Sequence, residues 1–304
     1  MFKKKFLPVL LFGIASLGFV GCSDSDDSTE PQNTEVDFTK GDYKQKVLIE
    51  DITSVSCMWC PLGTIAIEGL EKSEYKDRVI GVGVHGDFNP SMLKDPFIIP
   101  GLSDLQKAVK QNGSWPFVAF NRNTSIKGKA FQNFLTQTAS GIYEVTPSKF
   151  ETFQKKHNLL NEGSPIGIKI ESSLTAANGK VDVSLKFSQS INQELKYVVY
   201  ILEDGLVFAQ ANATAMFGNN TGNPAWAPNF VHDHVVRATN NFLGESIAAD
   251  QTKSSNEYKT SVSLSYELKD ISNASVVVAV LDRDGNVLNA QKAKANVTQD
   301  YEKK

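Results

Sequence analysis

The chain has 304 residues, of which 41% are hydrophobic and 21% charged, and it carries a formal net charge of -3. This length suggests two domains that each bury a core, and the ordinary composition excludes wholesale disorder, collagen-like chains and coiled coils. A mildly acidic chain lacks the clustered lysine and arginine that bind nucleic acid, so no nucleic-acid partner is expected. Three cysteines are too few for a scaffold of this size held together by disulfides.

The N-terminal segment resembles a bacterial export signal. Three lysines at positions 3–5 precede an apolar stretch over residues 6–20, which is shorter than the roughly 20 residues of a membrane span and suits a signal peptide. The stretch ends in Gly21-Cys22, where cleavage would expose the cysteine for lipidation, as in a lipobox. We therefore predict a lipoprotein signal peptide over residues 1–21 and a lipid on Cys22. A plain secretory cleavage that leaves Cys22 as a free thiol is the alternative.

Residues 22–35 are polar and acidic. Such a segment cannot bury a core, so it is predicted to be a disordered tether between the lipid and the folded part of the chain. Its acidic cluster directly after Cys22 resembles the surface-export signal of Bacteroidetes lipoproteins, with a solvated periplasmic spacer as the alternative. The expected location is therefore the outer membrane, on its cell-surface or periplasmic face, and the membrane is a partner through the lipid anchor.

Residues 36–160 show the element order of a thioredoxin fold: a strand, a CxxC pair that opens a helix, a strand, a helix, and a proline followed by a strand. In that fold the proline is cis and lies against the cysteine pair, and Pro116 matches its position. The predicted elements are a buried strand over Lys46–Ile52, a helix that begins at Cys57-Met58-Trp59-Cys60-Pro61, a buried strand over Arg78–His85, a helix over Leu102–Gln111, a strand over Phe117–Asn121 and a last helix over about Ala130–Ala139.

A cysteine pair at the start of a helix is suited to thiol–disulfide exchange. Unpaired backbone N–H groups and the helix dipole stabilise a thiolate there and lower its pKa. Cys57 is therefore expected to attack the disulfide of a protein substrate, and Cys60 to resolve the mixed disulfide. Both are candidate catalytic residues together with Pro116, and no cofactor is expected. With Cys22 lipidated they are the only remaining cysteines, so they pair with each other or with a partner.

Two other interpretations of the pair stay open. In an oxidising compartment Cys57 and Cys60 would form a static disulfide without turnover. The pair could also be half of a zinc site, but such a site needs two more ligands and the chain has no second CxxC, so no metal is predicted. His85, at the end of the second strand, is expected to be a hydrogen-bonding neighbour of the pair.

Residues 161–304 have a different pattern, in which apolar residues alternate with polar ones over short segments separated by turns. Tyr197–Leu202 is a continuous apolar run that suits a central strand. About seven such strands predict an antiparallel β-sandwich of immunoglobulin-like type. The predicted fold class is therefore an α/β thioredoxin-like domain over residues 36–160, followed by an all-β domain over residues 161–304.

Two motifs in this second half are candidates for binding. His232 and His234 would lie on one face of a strand, as a metal pair requires. No third or fourth ligand is identifiable, however, and polar packing with Arg237 is the favoured interpretation. Residues 211–229 contain no charged side chain, and a loop of this length either packs over a sheet or binds a ligand or a protein.

Several short motifs in both halves together carry a family resemblance. They are Glu50-Asp51-Ile52-Thr53, Cys57-Met58-Trp59-Cys60-Pro61, His85, Pro116, Asn121-Arg122, Glu203-Asp204-Gly205 and His232-Asp233-His234-Val235-Val236-Arg237. In combination they resemble the 28-kilodalton-type outer membrane lipoproteins of Bacteroidetes. The resemblance implies a thioredoxin-like domain joined to an immunoglobulin-like sandwich on a lipid anchor. It also implies that Cys57 and Cys60 are the redox pair and that Pro116 is its cis-proline neighbour.

Two function classes follow from these observations. The leading hypothesis is a lipid-anchored thiol–disulfide oxidoreductase, which should have an accessible Cys57 and an apolar groove beside Pro116. The alternative is a surface lipoprotein without enzymatic activity, in which Cys57 and Cys60 form a structural disulfide and the sandwich binds a ligand or a protein. This alternative should have a buried disulfide and an exposed apolar patch on the sandwich.

Overall fold

A computed structural model describes residues 36–38, 41–218, 225–254 and 256–304 of the chain. The predicted signal peptide, the lipidation site Cys22 and the acidic tether lie outside these residues. Within them, no helix is both long enough and apolar enough to cross a membrane.

Strands and helices alternate in the first half of the chain, as predicted. A proline opens α1 because the first turn of a helix leaves its N–H groups without partners, so the missing N–H of proline costs nothing there. The bounds are β1 (Val47–Thr53), α1 (Pro61–Glu71), β2 (Val79–His85), α2 (Leu102–Ala108), β3 (Phe117–Phe120), β4 (Leu135–Gln137), β5 (Tyr143–Val145) and α3 (Pro147–Lys156).

The region after β3 differs from the prediction. In place of a helix over Ala130–Ala139, the chain forms a 3₁₀ turn over Ala130–Phe134 and then β4, which pairs with β5. Phe131 and Phe134 are buried three residues apart, a spacing that one 3₁₀ turn satisfies, and the β-branched threonines that follow favour an extended chain. Helix α3 is absent from the prediction, although it opens with a proline and buries two phenylalanines on one side.

Strands make up the second half of the chain, and the mixed α/β class with a majority of strands is confirmed. The apolar run over residues 197–202 forms most of β8, which lies inside the largest sheet, as predicted. The bounds are β6 (Ile166–Leu174), β7 (Asn178–Phe187), β8 (Leu195–Glu203), β9 (Leu206–Ala211), β10 (Trp226–His232), β11 (Val235–Thr239), β12 (Glu245–Ile247), β13 (Glu257–Ser265), β14 (Ala274–Leu281) and β15 (Val287–Lys294).

One eight-stranded sheet has the order β15-β14-β8-β11-β2-β1-β3, with β12 also paired to β8. β1 and β2 are parallel, and β3 is antiparallel to β1. β11 connects the two halves, because it is parallel to β2 where Val235 faces Gly83 and antiparallel to β8. Strands from both sides of residue 160 thus share one sheet, and the boundary between a thioredoxin-like and an immunoglobulin-like domain stays a prediction.

The two faces of this sheet are covered by different elements. Helices α1 and α3 pack on one face over β1 to β3, and a three-stranded sheet of order β13-β7-β6 packs on the same face over β8 and β14. Helix α2 packs on the opposite face. Because successive residues of a strand point to opposite sides, Asp51 of β1 points toward α1 and Glu50 points to the opposite face.

The α2 face contains a buried ion pair. Arg122 binds Glu50 through two N–H groups, with Nε 2.9 Å from Oε2 and Nη2 2.7 Å from Oε1. The same guanidinium donates to the Tyr200 hydroxyl at 2.8 Å and to the Phe242 carbonyl at 2.6 Å. The Tyr200 hydroxyl in turn donates to Glu50 at 2.6 Å. This network connects β1, β8 and the segments after β3 and β11.

Candidate functional site

Cys57 and Cys60 form a disulfide at the N-terminus of α1. Cys60 is the N-cap residue, and the N–H of Gly63 donates to its carbonyl at 2.9 Å, so the pair lies against the first turn of the helix. The free N–H groups of this turn stabilise a thiolate once the disulfide is reduced. Only 2% of Cys57 and 1% of Cys60 is exposed. The disulfide is therefore buried, which is the feature expected of the structural alternative.

A groove of about 420 Å³ is lined by sequence neighbours of the cysteines and by Pro116. Trp59 and Leu62, which flank Cys60 in sequence, form one part of its wall, and Trp115 and Pro116 form another. The peptide bond between Trp115 and Pro116 is cis, as the sequence predicts. Because Trp59 is 47% exposed, the groove is open at its edge. A groove beside Pro116 is the feature expected of an oxidoreductase, although the wall of this one also includes the polar side chains of Lys129, Gln132 and Gln137.

A segment from the second half of the chain covers the disulfide. We call residues 210–213 the covering segment. The N–H of Ala211 donates to the carbonyl of Val55 at 2.8 Å. Two residues on, the N–H of Ala213 donates to the carbonyl of Met58, also at 2.8 Å. The covering segment therefore runs alongside the cysteine loop, in which both cysteines are buried.

Gln210 attaches the covering segment to the cysteine loop. Its side-chain amide donates to the carbonyls of Ser54 at 3.2 Å and Cys57 at 2.9 Å. Gln210 is buried, so its removal leaves buried carbonyls without a donor, at a cost of about 1–3 kcal/mol. Replacing Gln210 with alanine is therefore expected to let the covering segment open more often and to speed reduction of the disulfide by dithiothreitol about tenfold. Alkylation of free thiols over time measures the rate.

Gln291→Ala is the matched control for this variant. Gln291 is also buried, but its side chain bonds to Lys46 and Glu302, and neither of these residues belongs to the cysteine loop. We expect a comparable loss of stability from this control and no faster reduction. Equal reduction rates in the two variants would contradict the role of the covering segment.

Asp51 is a buried carboxyl beneath α1. Its Oδ1 atom has no hydrogen-bond partner among the described residues, and burial raises the pKa of Asp51 to about 8. A β-carbon on Gly63 would lie 2.3 Å from Asp51 Oδ2, so the missing side chain of this glycine lets the carboxyl approach the helix. Gly63 lies three residues after Cys60 and on the same side of α1. Asp51 is therefore a buried titratable group on the side of the helix that bears Cys60.

His85 is a hydrogen-bonding residue, as expected. Its Nδ1 atom lies 2.8 Å from Oδ2 of Asp95. Asp95 also accepts from the N–H groups of Val55 and Phe97, each at 2.9 Å. Burial by itself raises the pKa of Asp95, but these hydrogen bonds outweigh it and lower the pKa. Asp95 thereby attaches the segment over residues 86–101 to the loop before the cysteines.

His232 and His234 do not share a face, contrary to the expectation for a single strand. His232 ends β10, where its ring packs 5.3 Å from that of His85. His234 lies in the turn before β11 with a positive φ of 59°, and its Nε2 is 2.9 Å from Glu71. Burial by itself lowers the pKa of His234, but hydrogen bonds with Asp204 and Glu71 raise it to about 9. The turn gives the two imidazoles different neighbours, although both line one small cavity.

Two further predictions for the second half concern Arg237 and the uncharged stretch over residues 211–229. Arg237 pairs with Glu203, where Nε lies 3.4 Å from Oε2. The uncharged stretch over residues 211–229 begins in the covering segment and ends in β10, and its residues 219–224 lie outside the described part of the chain. Its first residues lie beside the cysteine loop rather than over a sheet, and the choice between packing and binding for this loop stays a prediction.

Three residues of the site were missed by sequence reasoning. Asp51 is a carboxyl inside an apolar strand, a signal that could have been noticed because buried charges are rare. Asp95 and Gln210 lie 35 residues or more from Cys60 in sequence, and neither belongs to a motif. Only the fold brings them to the cysteine loop.

Comparisons with known proteins identify one family and one shared fold. A family model described as "Outer membrane protein Omp28" matches residues 105–299. HBP35 of Porphyromonas gingivalis has a similar structure, with a TM-score of 0.56 and 17% identity over 84% of this chain and 76% of that chain. A β-glucosidase from Kluyveromyces marxianus in complex with glucose has a TM-score of only 0.21 and 12% identity, over 58% of this chain and 20% of that chain. No curated protein matches the sequence significantly.

The matched range begins after the cysteine pair. Residues 57–60 and α1 therefore lie outside the part of the chain that the family model matches. The family match therefore gives no information about the disulfide, and a role for it is inferred from the residues around it.

Proposed function

Because the chain belongs to the Omp28 outer membrane protein family, we propose that it is a lipid-anchored outer membrane protein that exchanges thiols and disulfides with a protein substrate through Cys57 and Cys60. The observation that carries the proposal is the position of the disulfide, at the N-terminus of α1 and beside an open groove that includes Pro116. The groove supplies a place for an extended substrate segment next to the reactive sulfur. The lipid on Cys22 would anchor the chain.

The strand arrangement supports a thioredoxin-like assignment for the first half. β1 lies between a parallel neighbour, β2, and an antiparallel neighbour, β3, and the cysteine pair follows β1 directly. A cis-proline precedes β3. For the second half, the face-to-face packing of the three-stranded sheet on β8 and β14 supports a sandwich.

Exchange requires two steps, here written for reduction of a substrate disulfide. The Cys57 thiolate attacks one substrate sulfur, and a mixed disulfide forms as the other substrate sulfur leaves as a thiolate. The Cys60 thiol then gives its proton to the Asp51 carboxylate, Cys60 Sγ attacks Cys57 Sγ, and the second substrate sulfur leaves. The substrate gains two electrons and the cysteine pair becomes a disulfide. The reverse sequence oxidises a substrate dithiol.

A structural disulfide is the second candidate, and the burial of both cysteines favours it. In that case the covering segment is a permanent part of the core, and the second half of the chain binds a ligand or a protein. The two candidate functions differ in whether cellular thiols such as glutathione can reduce the disulfide.

The reduction potential of the Cys57–Cys60 pair distinguishes the candidates. We expect the full chain, equilibrated with glutathione and then alkylated, to have a potential above about -230 mV, which is typical of labile, exchange-competent pairs. The Cys60→Ser variant is then expected to accumulate a mixed disulfide with an unfolded substrate protein, because nothing resolves it. Cys57→Ser is the matched control and should trap none.

A potential below about -300 mV, together with slow alkylation of reduced Cys57, would contradict exchange and support a structural disulfide. An equal yield of mixed disulfide in the Cys57→Ser variant would contradict the assignment of Cys57 as the attacking residue.

The lipid anchor is tested separately. Replacing Cys22 with serine removes the thiol that accepts the lipid, so the variant is expected to leave the membrane fraction and become soluble. Detergent phase partitioning of the two proteins measures this change. Membrane association that persists in the variant would contradict lipidation at Cys22.

A further inference from the structure

A small polar cavity lies where α1, β1 and β2 meet the turn between β10 and β11. Its volume is about 20 Å³, which is enough for one water molecule. Its lining includes Asp51, Thr53, His85, Gln210 and His232. The cavity is therefore part of the region that surrounds the disulfide, but the exchange steps above do not use most of its side chains.

Two of the lining side chains have a buried polar atom without a partner among the described residues. These atoms are Oδ1 of Asp51 and Nε2 of His232. Asp51 is 2% exposed and His232 is 5% exposed. Buried polar atoms are nearly always bonded to protein or to ordered water. Two such atoms on one water-sized cavity indicate a shared water.

The hydrogen-bonding properties of the two groups are complementary. The His232 ring bonds to the backbone of Phe208, and since Nε2 has no partner, Nδ1 is the nitrogen that donates to this carbonyl. Burial and the neighbouring His85 lower the pKa of His232 to about 3, so the ring is neutral and Nε2 is an acceptor. A water that donates to Nε2 can accept from protonated Asp51 or donate to ionised Asp51. One water therefore serves both states of the carboxyl.

Each of the other ionisable groups at the cavity has at least one partner in the structure. They are His85 with Asp95, His234 with Glu71 and Asp204, Lys292 beside His234, and Asp233 with the N–H of Gly205.

We infer that one water molecule is bound between Asp51 and His232, and that His232 is a positioning residue that holds this water as the proton donor and acceptor of the Asp51 carboxyl. Its role in exchange rests on the proposed function. When Asp51 has taken the proton of the Cys60 thiol, the water accepts that proton and passes one of its own to solvent, which regenerates the carboxylate. Thr64 and Asp233 line the same cavity and are partly exposed, so the cavity reaches solvent.

Two variants of His232 test the inference. His232→Phe keeps an aromatic ring among Phe97 and Phe230, which pack 5.1 and 4.8 Å from the imidazole, but it has no acceptor. His232→Gln retains an acceptor and is expected to behave like the wild type. His157→Phe is the matched control, because this histidine is the C-cap residue of α3 and does not line the cavity. His232→Leu replaces the phenylalanine variant if that protein does not fold.

The first measurement does not require the protein to catalyse thiol–disulfide exchange. Carbon-13 NMR of the carboxyl groups follows the titration of Asp51 in the oxidised, full-length protein. In His232→Phe we expect the titration midpoint of Asp51 to move upward by about one pH unit or more, because the carboxylate loses the water that solvates it. We expect no such movement in His232→Gln or His157→Phe. An unchanged midpoint in His232→Phe would overturn the water site, whether or not the protein catalyses exchange.

The second measurement is the rate at which Cys60 resolves a mixed disulfide on Cys57, followed in a single turnover. We expect this rate to fall about tenfold in His232→Phe and to be restored in His232→Gln. A moved titration midpoint with an unchanged rate would overturn the role of His232 in proton transfer. If the wild type shows no exchange, the proposed function fails, and the NMR titration still decides the water site.

Discussion

Replacing Arg122 with methionine is expected to lower the free energy of unfolding by about 3–5 kcal/mol, because it leaves a buried carboxylate without its counterion. Glu50 and Arg122 are buried, and two N–H groups of the guanidinium bond to the carboxylate. The substitution also removes the donor to the Phe242 carbonyl. Urea denaturation followed by circular dichroism measures the change.

A double variant separates the ion pair from packing. In a Glu50→Met background no buried carboxylate remains, so Arg122→Met should cost much less there than alone. Lys155→Met is a surface control, because Lys155 pairs with Glu151 in solvent and such exposed pairs contribute little to stability. A loss of less than 1 kcal/mol from Arg122→Met in the wild-type background would contradict this account of the network.

Replacing Asp51 with asparagine is expected to stabilise the oxidised protein increasingly as the pH rises. Burial raises the pKa of Asp51 to about 8 in the folded chain, from 3.8 when unfolded. Between these values the unfolded chain has lost this proton and the folded chain keeps it, so rising pH favours unfolding of the wild type by up to about 1.4 kcal/mol per pH unit. Asparagine does not titrate. Its advantage should therefore grow from near zero at pH 4 to about 3–5 kcal/mol at pH 8.

Urea denaturation at several pH values between 4 and 8.5 measures this effect. His232 has the opposite dependence, because its pKa is lowered to about 3 when folded and it loses stability as the pH falls below about 6.5. His232 is present in the wild type and in Asp51→Asn, so its effect cancels when their free energies of unfolding are subtracted. Asp182→Asn is the control with a constant difference over this range, because hydrogen bonds with Lys180 and Ser261 lower the pKa of this carboxyl below 3.8, so that it is ionised in both states above about pH 4. An Asp51→Asn difference that stays constant with pH would contradict a raised pKa.

Several parts of the site could be predicted from local sequence. Proline at position 61 and the helical spacing after it place the cysteine pair at a helix start, and the structure has α1 there. The cis bond before Pro116 also follows from the order of elements. By contrast, the predicted helix over 130–139 is wrong, because two buried phenylalanines suit either a helix or one 3₁₀ turn. Strand β4 gains its partner, β5, only in the fold.

The sequence by itself determined most elements of this protein, with the region of residues 130–156 as the exception, and it determined the cysteine pair and its position at the start of α1. Periodicity, turn residues and helix starts are properties of neighbouring residues. Only the tertiary structure decided that residues 210–213 cover the disulfide and that Asp51 and His232 line one cavity. An apolar strand pattern indicates that a face is buried without indicating what buries it. The joining of both halves through β11, and the partners of Gln210 and His232, arise from backbone hydrogen bonds and packing between distant segments, which leave no periodic signal in the sequence.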